Sequence, residues 1–159
     1  MDKLLNLLDS NARLSTAQLA TMLGRTEKEV ADQIADMEQK GVIRGYKALI
    51  DWERTDREYV TAIIELRVSP KRDSGFESIA QSIMRLEEVE SVYLMSGGYD
   101  LSVVVSGRTF QEVAMFVAKR LSPMDAVLSN ATHFVLRRYK DRGVMFLDEV
   151  RDERVLDGE

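Results

Sequence analysis

The sequence predicts an α+β chain, an N-terminal (winged) helix-turn-helix followed by a ferredoxin-like βαββαβ domain, and three observations predict it. Two capping-box starts, at Ser15 and Thr26, lie either side of Gly24; the residues from Tyr59 to Val68 alternate apolar and polar with a period of two; and two β-branched runs meet across Ser96-Gly97-Gly98-Tyr99-Asp100. At 159 residues, two small domains are permitted.

The first helix is expected from Leu4, Leu5, Leu7 and Leu8, apolar at helical spacing, and ends in Ser10-Asn11-Ala12-Arg13. Ser15 with Gln18 three residues on starts the second, whose apolar positions Leu19, Ala20, Met22 and Leu23 stop at Gly24. Thr26 with Glu29 starts the third, where Val30, Ile34 and Met37 recur at intervals of four and three until Gly41. Three short helices with a glycine turn between the second and third make a helix-turn-helix, in which the third helix is shaped to enter a major groove. Val42 to Asp56 reads as extended segment and connector, with Trp52 as a domain-interface anchor. The expected division is 1–55 for the helix-turn-helix, 56–142 for the second domain and 143–159 for a charged tail.

In Tyr59 to Val68, Val60, Ala62, Ile64, Leu66 and Val68 share one face and Thr61, Glu65 and Arg67 the other, the pattern of a strand covered on one side. Pro70 stops it, and Phe76, Ile79, Ala80, Ile83 and Met84 form a helical stripe. Val89 to Met95 and Leu101 to Val105 read as a hairpin. Phe110, Val113, Ala114, Val117 and Leu121 supply another helix before Pro123, and Val127 to Tyr139 a closing strand. Two helices cover one face of such a four-stranded sheet, so Tyr59, Ile63, Tyr93 and Met95 are expected on the uncovered face, with oligomerisation as the consequence. Val144 to Leu147 is read as a short strand or a packing segment, with fraying past Asp148.

Composition bounds the function. Hydrophobic content of 45% and charged content of 31% are ordinary for a soluble domain. No run approaches the roughly 20 apolar residues of a membrane span, and Leu4 to Leu8 lies among acids without a basic leader, so a soluble, cytoplasmic protein is expected. The absence of cysteine excludes disulfides, thiolate metal sites and a cysteine nucleophile, and a lone His133 cannot build a multi-histidine centre; no metal and no cofactor are expected. Of 22 basic and 27 acidic side chains, seven of each fall in residues 1–50, so the net charge of −5 arises beyond them. A general nucleic-acid coat protein is disfavoured.

Other motifs offer less. Ser96-Gly97-Gly98 lacks the lysine and length of a phosphate loop, and no acid or nucleophile stands at catalytic spacing from His133, so no enzyme is predicted. Arg137, Arg138, Lys140 and Arg142 form a basic run that reads as a solvated strand end or as a DNA contact. The turn Gly97-Gly98-Tyr99-Asp100 has two readings. It is a plain hairpin turn with Asp100 bonding backbone, or a ligand cradle whose glycines admit close approach and whose Asp100 meets an ammonium group.

The helix-turn-helix ending in Glu38-Gln39-Lys40-Gly41-Val42-Ile43-Arg44-Gly45-Tyr46, followed by a split βαβ domain with Gly97-Gly98-Tyr99-Asp100 in its hairpin, resembles the Lrp/AsnC feast/famine regulators over residues 1 to about 142. The resemblance implies a one-component transcription regulator whose second domain, the RAM domain, forms dimers and larger rings and binds amino acids or related molecules. It implies double-stranded DNA, a small-molecule effector and a homodimer or octamer as partners.

By position, the third helix, from Thr26 to Lys40, becomes the recognition helix, with Arg25, Lys28, Glu29, Asp32 and Gln33 at the bases, Thr26 also in the DNA-binding set, and Arg44 and Lys47 near phosphates. Residues 26–40 depart from the family's basic pattern, with two basic (Lys28, Lys40) and five acidic side chains (Glu27, Glu29, Asp32, Asp36, Glu38), which leaves open a helix-turn-helix that binds protein instead of DNA. The resemblance places the effector site at the Gly97-Gly98-Tyr99-Asp100 turn, with a glycine at Gly97 or Gly98 where the family commonly carries an acid; Ser129, Asn130 and Thr132 on the last strand are expected as hydroxyl or amide contacts beside it.

Overall fold

The computed structural model describes residues 2–70, 72–73 and 75–147. The chain divides between Leu49 and Ile50 into two units, each with its own core.

The first unit holds three helices, α1 (Lys3–Ser10), α2 (Thr16–Leu23) and α3 (Glu27–Gln39). Both predicted capping boxes form: Ser15 with Gln18 starts α2, and Thr26 with Glu29 starts α3, so the first free amides of each helix are bonded locally. Gly24 ends α2 at φ 63°, a left-handed conformation that costs a side chain steric strain, and Arg25 is the single residue between it and the Thr26 cap. Leu4, Leu8, Leu19, Ala20 and Val30 are buried together, with Ile34 and Ile43 against them. Ile43 returns to that core because the Val42 and Ile43 amides both bond the Met37 carbonyl, at 2.8 and 3.1 Å.

The second unit contains β1 (Val60–Val68), α4 (Glu77–Ile83), β2 (Val89–Leu94), β3 (Leu101–Gly107), α5 (Phe110–Phe116) and β4 (Val127–Phe134), then a two-residue hairpin of β5 (Lys140–Asp141) and β6 (Val144–Met145). The four long strands lie in the order β2-β3-β1-β4 with every pair antiparallel, the ferredoxin-like arrangement. Alternation in β1 places Ala62, Ile64, Leu66 and Val68 in the core, where Leu101, Val103 and Val105 of β3 meet Ile79 and Ile83 of α4 and Val113 and Phe116 of α5. α5 widens after Phe116 into a π turn, Val117–Leu121, so the buried stripe runs Val113, Phe116, Val117, Leu121 while Ala114 is exposed.

On the other face Ile63, Tyr93 and Met95 are 40%, 51% and 40% exposed, as the alternation requires. Tyr59 is half-buried instead: its ring lies 5.7 Å from that of Trp52, whose face also carries the Arg57 guanidinium at 4.5 Å, and its hydroxyl bonds Glu90. β4 is shorter than its sequence reads. The Val135 amide still bonds Thr61 (2.9 Å), but β1 offers no further partner, and Arg138 turns to the Ile50 carbonyl (2.6 Å). The connector Val42 to Asp56 forms a single 3-10 turn, Trp52–Arg54, and no strand among the described residues. The fraying expected past Asp148 lies outside them.

Candidate functional sites

α3 owes its position to its N-terminal half. The Thr26 hydroxyl accepts from the Glu29 amide at 3.2 Å and the Glu29 carboxylate accepts from the Thr26 amide at 2.9 Å. That backbone bond, then the Thr26 hydroxyl, hold the Glu29 carboxyl below the usual carboxylate range. Gln33 ties α3 to α1: its Nε2 donates to Asp2 at 3.0 Å, and its Oε1 accepts from the Arg25 guanidinium. Asp2 in turn caps α1 through the Leu4 amide, at 2.9 Å. Three of the residues expected to bind DNA, Thr26, Glu29 and Gln33, are therefore also structural.

Lys28 and Asp32, one turn apart on the solvent side, pair at 2.7 Å with side chains 85% and 67% exposed, and that bond, with the Asp32 charge, raises the Lys28 pKa. Lys40 is paired in the same way with Asp36 at 2.7 Å. The acidic helix thus masks both of its own cations. Beyond it, the Arg44 guanidinium lies along Gly41, where a Cβ would meet Cζ at 3.1 Å, and Lys47 is exposed with no hydrogen bond or ion pair among the described residues. Tyr46 donates to Glu38 at 3.0 Å.

In the second unit the β2–β3 turn meets β1 and β4 around an open cleft of about 420 Å³, lined by Glu65, Arg67, Gly98, Tyr99, Ser129, Asn130 and Ala131. Gly97 adopts φ 125°, outside the range of ordinary side chains, and a Cβ on Gly98 would meet nothing within 4 Å, so the backbone there is open to approach. Asp100 faces the strands: its carboxylate accepts from the Val68 amide at 2.8 Å and its own amide bonds the Leu66 carbonyl at 2.9 Å. It extends the β1–β3 ladder past the last strand residue.

Of the seven residues expected at an effector site, Gly98, Tyr99, Ser129 and Asn130 line this cleft. Thr132 does not; it lies further along β4, paired with the fully buried Ile64. Glu65 and Arg67 were missed, although their shared face was legible from the period of β1. A separate hollow of about 210 Å³ lies between α5 and the start of β2, with Glu88, Glu112, Lys119 and Arg120 on its rim.

No helix among the described residues is long and apolar enough to cross a membrane, and no group of three or more potential ligands there could hold a metal ion.

Residues 61–145 match the family model of the Lrp/AsnC ligand binding domain, and residues 3–44 match a winged helix-turn-helix DNA-binding model. The chain is 45% identical over 155 residues to the uncharacterized HTH-type transcriptional regulator YugG of Bacillus subtilis, covering 97% of this chain and 93% of that one. It is 26% identical to the leucine-responsive regulatory protein of Haemophilus influenzae, covering 91% and 87%. A solved transcriptional regulator of Neisseria meningitidis, in complex with L-methionine, has the same fold, with a TM-score of 0.71, 23% identity, and 89% and 93% of the two chains covered.

Proposed function

From the premise that this chain belongs to the Lrp/AsnC family of transcriptional regulators, we propose that it reads DNA with the solvent side of α3 and responds to an amino acid or related metabolite in the Gly98–Ser129 cleft. It is a DNA-binding regulator with a ligand-binding domain, and its relatives are regulators, not enzymes. The observation that carries the reading of DNA is the start of α3. The left-handed Gly24 and the Thr26–Glu29 box bring Arg25 and Lys28 to solvent at the helix N-terminus, the end that enters a major groove.

Lys28, Asp32 and Arg25 read base edges, and Arg44 and Lys47 meet phosphates. Thr26, Glu29 and Gln33 hold the helix, and Gln33 reaches a base only by releasing Asp2 or Arg25. Gly98, Tyr99, Ser129 and Asn130 line the effector cleft, with Gly97 shaping its turn and Asp100 as a strut of its wall. The leucine-responsive name of one relative supports an amino-acid effector. The protein works in the cytoplasm as a homodimer or octamer joined through the open sheet face, on which Ile63, Tyr93 and Met95 are too apolar to remain wet. Two-fold pairing presents two copies of α3 to half-sites about one helical turn, or a multiple, apart.

Electrophoretic mobility shift of the DNA upstream of the protein's own gene, at several salt concentrations and with and without amino acids, tests this. A saturable, salt-sensitive shift is expected. Its absence would return the helix-turn-helix to a protein-binding role.

A further inference from the structure

The hairpin of β5 and β6 bends through Arg142 and Gly143, at φ 44° and 82°, between the paired Asp141 and Val144. Positive φ at both central residues is the pattern of a type I′ turn, which asparagine, aspartate or glycine ordinarily opens. Arg142 is the one non-glycine residue at positive φ among the described residues. A long side chain kept in a conformation that strains it, at an exposed tip, points to a function outside the chain.

The tip closes a run of four basic residues and one acid from Arg137 to Arg142, in the part of the chain that carries the whole net negative charge. Its members divide by role. Arg138 and Asp141 pair at 3.3 Å, and Arg138 also bonds the Ile50 carbonyl, so these two hold the hairpin in place. Arg137, Lys140 and Arg142 are exposed, and their side chains make no hydrogen bond or ion pair with any described residue. Tyr139, among them, is 60% exposed, with the Arg137 guanidinium 5.6 Å from its ring. Three unpaired cations around an exposed tyrosine suit a dense row of phosphates better than one small anion, because a duplex carries a negative charge for roughly every 1.7 Å of its axis. Guanidinium groups and tyrosine hydroxyls both donate to phosphate oxygens.

We propose that the β5–β6 hairpin is a second DNA contact: Arg142 at its tip, with Lys140 and Arg137 beside it, binds backbone phosphates of the duplex that α3 reads. The inference rests on the reading of the chain as a DNA-binding regulator and adds a surface of its second unit to that function. The hairpin is rooted where the chain enters that unit, since Arg138 bonds Ile50, three residues beyond Lys47 in the sequence. Phosphate contacts carry no sequence information, so the hairpin adds affinity without altering which bases are chosen.

The test uses the full chain and fluorescence anisotropy with two labelled duplexes, the DNA upstream of the protein's own gene and an unrelated sequence of equal length, at several salt concentrations. Arg142→Asn supplies the Asn-Gly pair that the turn prefers, so the melting temperature should hold or rise. Affinity for both duplexes should nevertheless fall threefold or more, and the slope of log affinity against log salt should fall by about one. Combining it with Arg137→Gln and Lys140→Gln should lower the slope by about two to three, and Arg142→Lys should recover most of the single loss. Unchanged affinity and slope in the triple variant overturn the proposal. So does a change of assembly size in mass photometry with the slope unaltered, which would make the hairpin a contact between copies. Lys47→Ala separates the two levels of the reading. If it lowers the slope while the hairpin variants do not, the helix-turn-helix still binds DNA and the hairpin does not; if the parent binds neither duplex at low salt, both fall.

Discussion

The Asp100 carboxylate accepts a hydrogen bond from the backbone amide of Val68, 2.8 Å away and 32 residues earlier in the chain. The bond lies where β1 shifts register against β4, between Arg67 and Val68, so the side chain stands in for a strand residue. Asp100→Ala leaves that amide unmet and should cost about 1–3 kcal/mol. Urea denaturation measures it, and a loss under roughly 0.5 kcal/mol, the scale of an inert surface change, would show that water replaces the carboxylate.

Lys47, like Arg44, is an exposed cation of the first unit beyond α3 with no hydrogen bond or ion pair among the described residues, whereas Lys28 must leave Asp32 before it can meet DNA. Lys47→Ala should therefore lower the slope of log affinity against log salt by about one, uniformly across DNA sequences. Asp32→Ala should raise affinity for unrelated DNA by releasing Lys28 and removing a like charge. An unchanged slope for the first, measured by fluorescence anisotropy, excludes a phosphate contact at Lys47.

Glu29 makes the start of α3 sensitive to acid. Its carboxyl is held low in the folded chain by the Thr26 amide and hydroxyl. The stabilisation is therefore complete above the ordinary carboxylate range and disappears as pH falls through the lowered value. Denaturation of the parent and of Glu29→Gln between pH 6 and pH 3 should converge at the acid end. Parallel curves would show that the charge contributes nothing to the cap.

Arg138 holds the beginning of the second unit to its end. Its guanidinium donates to the Ile50 carbonyl at 2.6 Å, pairs with Asp141 at 3.3 Å and lies over the Phe146 ring at 3.8 Å. Arg138→Met keeps the bulk and removes all three, and should cost about 2 kcal/mol. Limited proteolysis should then cut faster around Lys47 and Arg54. A variant with parental stability and the parental cleavage rate would reduce the clamp to a surface contact.

The basic run from Arg137 to Arg142 shows how far a one-dimensional reading reaches. Its charges are visible in the chain, but a bond from Arg138 to a carbonyl 88 residues earlier is not. The same limit governs Trp52, whose ring partners Tyr59 and Arg57 are near in sequence yet meet only after the 3-10 turn reverses the chain.

By itself the sequence determined the helices, the strands and their order, because caps, apolar periods and turn glycines act over a few residues and need no distant partner. The glycine turn and the solvent-facing start of α3 belong to that local information. Tertiary structure alone decided how β1 registers against β4, and with it that Glu65, Arg67 and Ser129 meet Gly98 in one cleft while Asp100 is drawn into the sheet. A strand presents its side chains on alternate sides, so the composition of a site between strands depends on a register that no single segment contains.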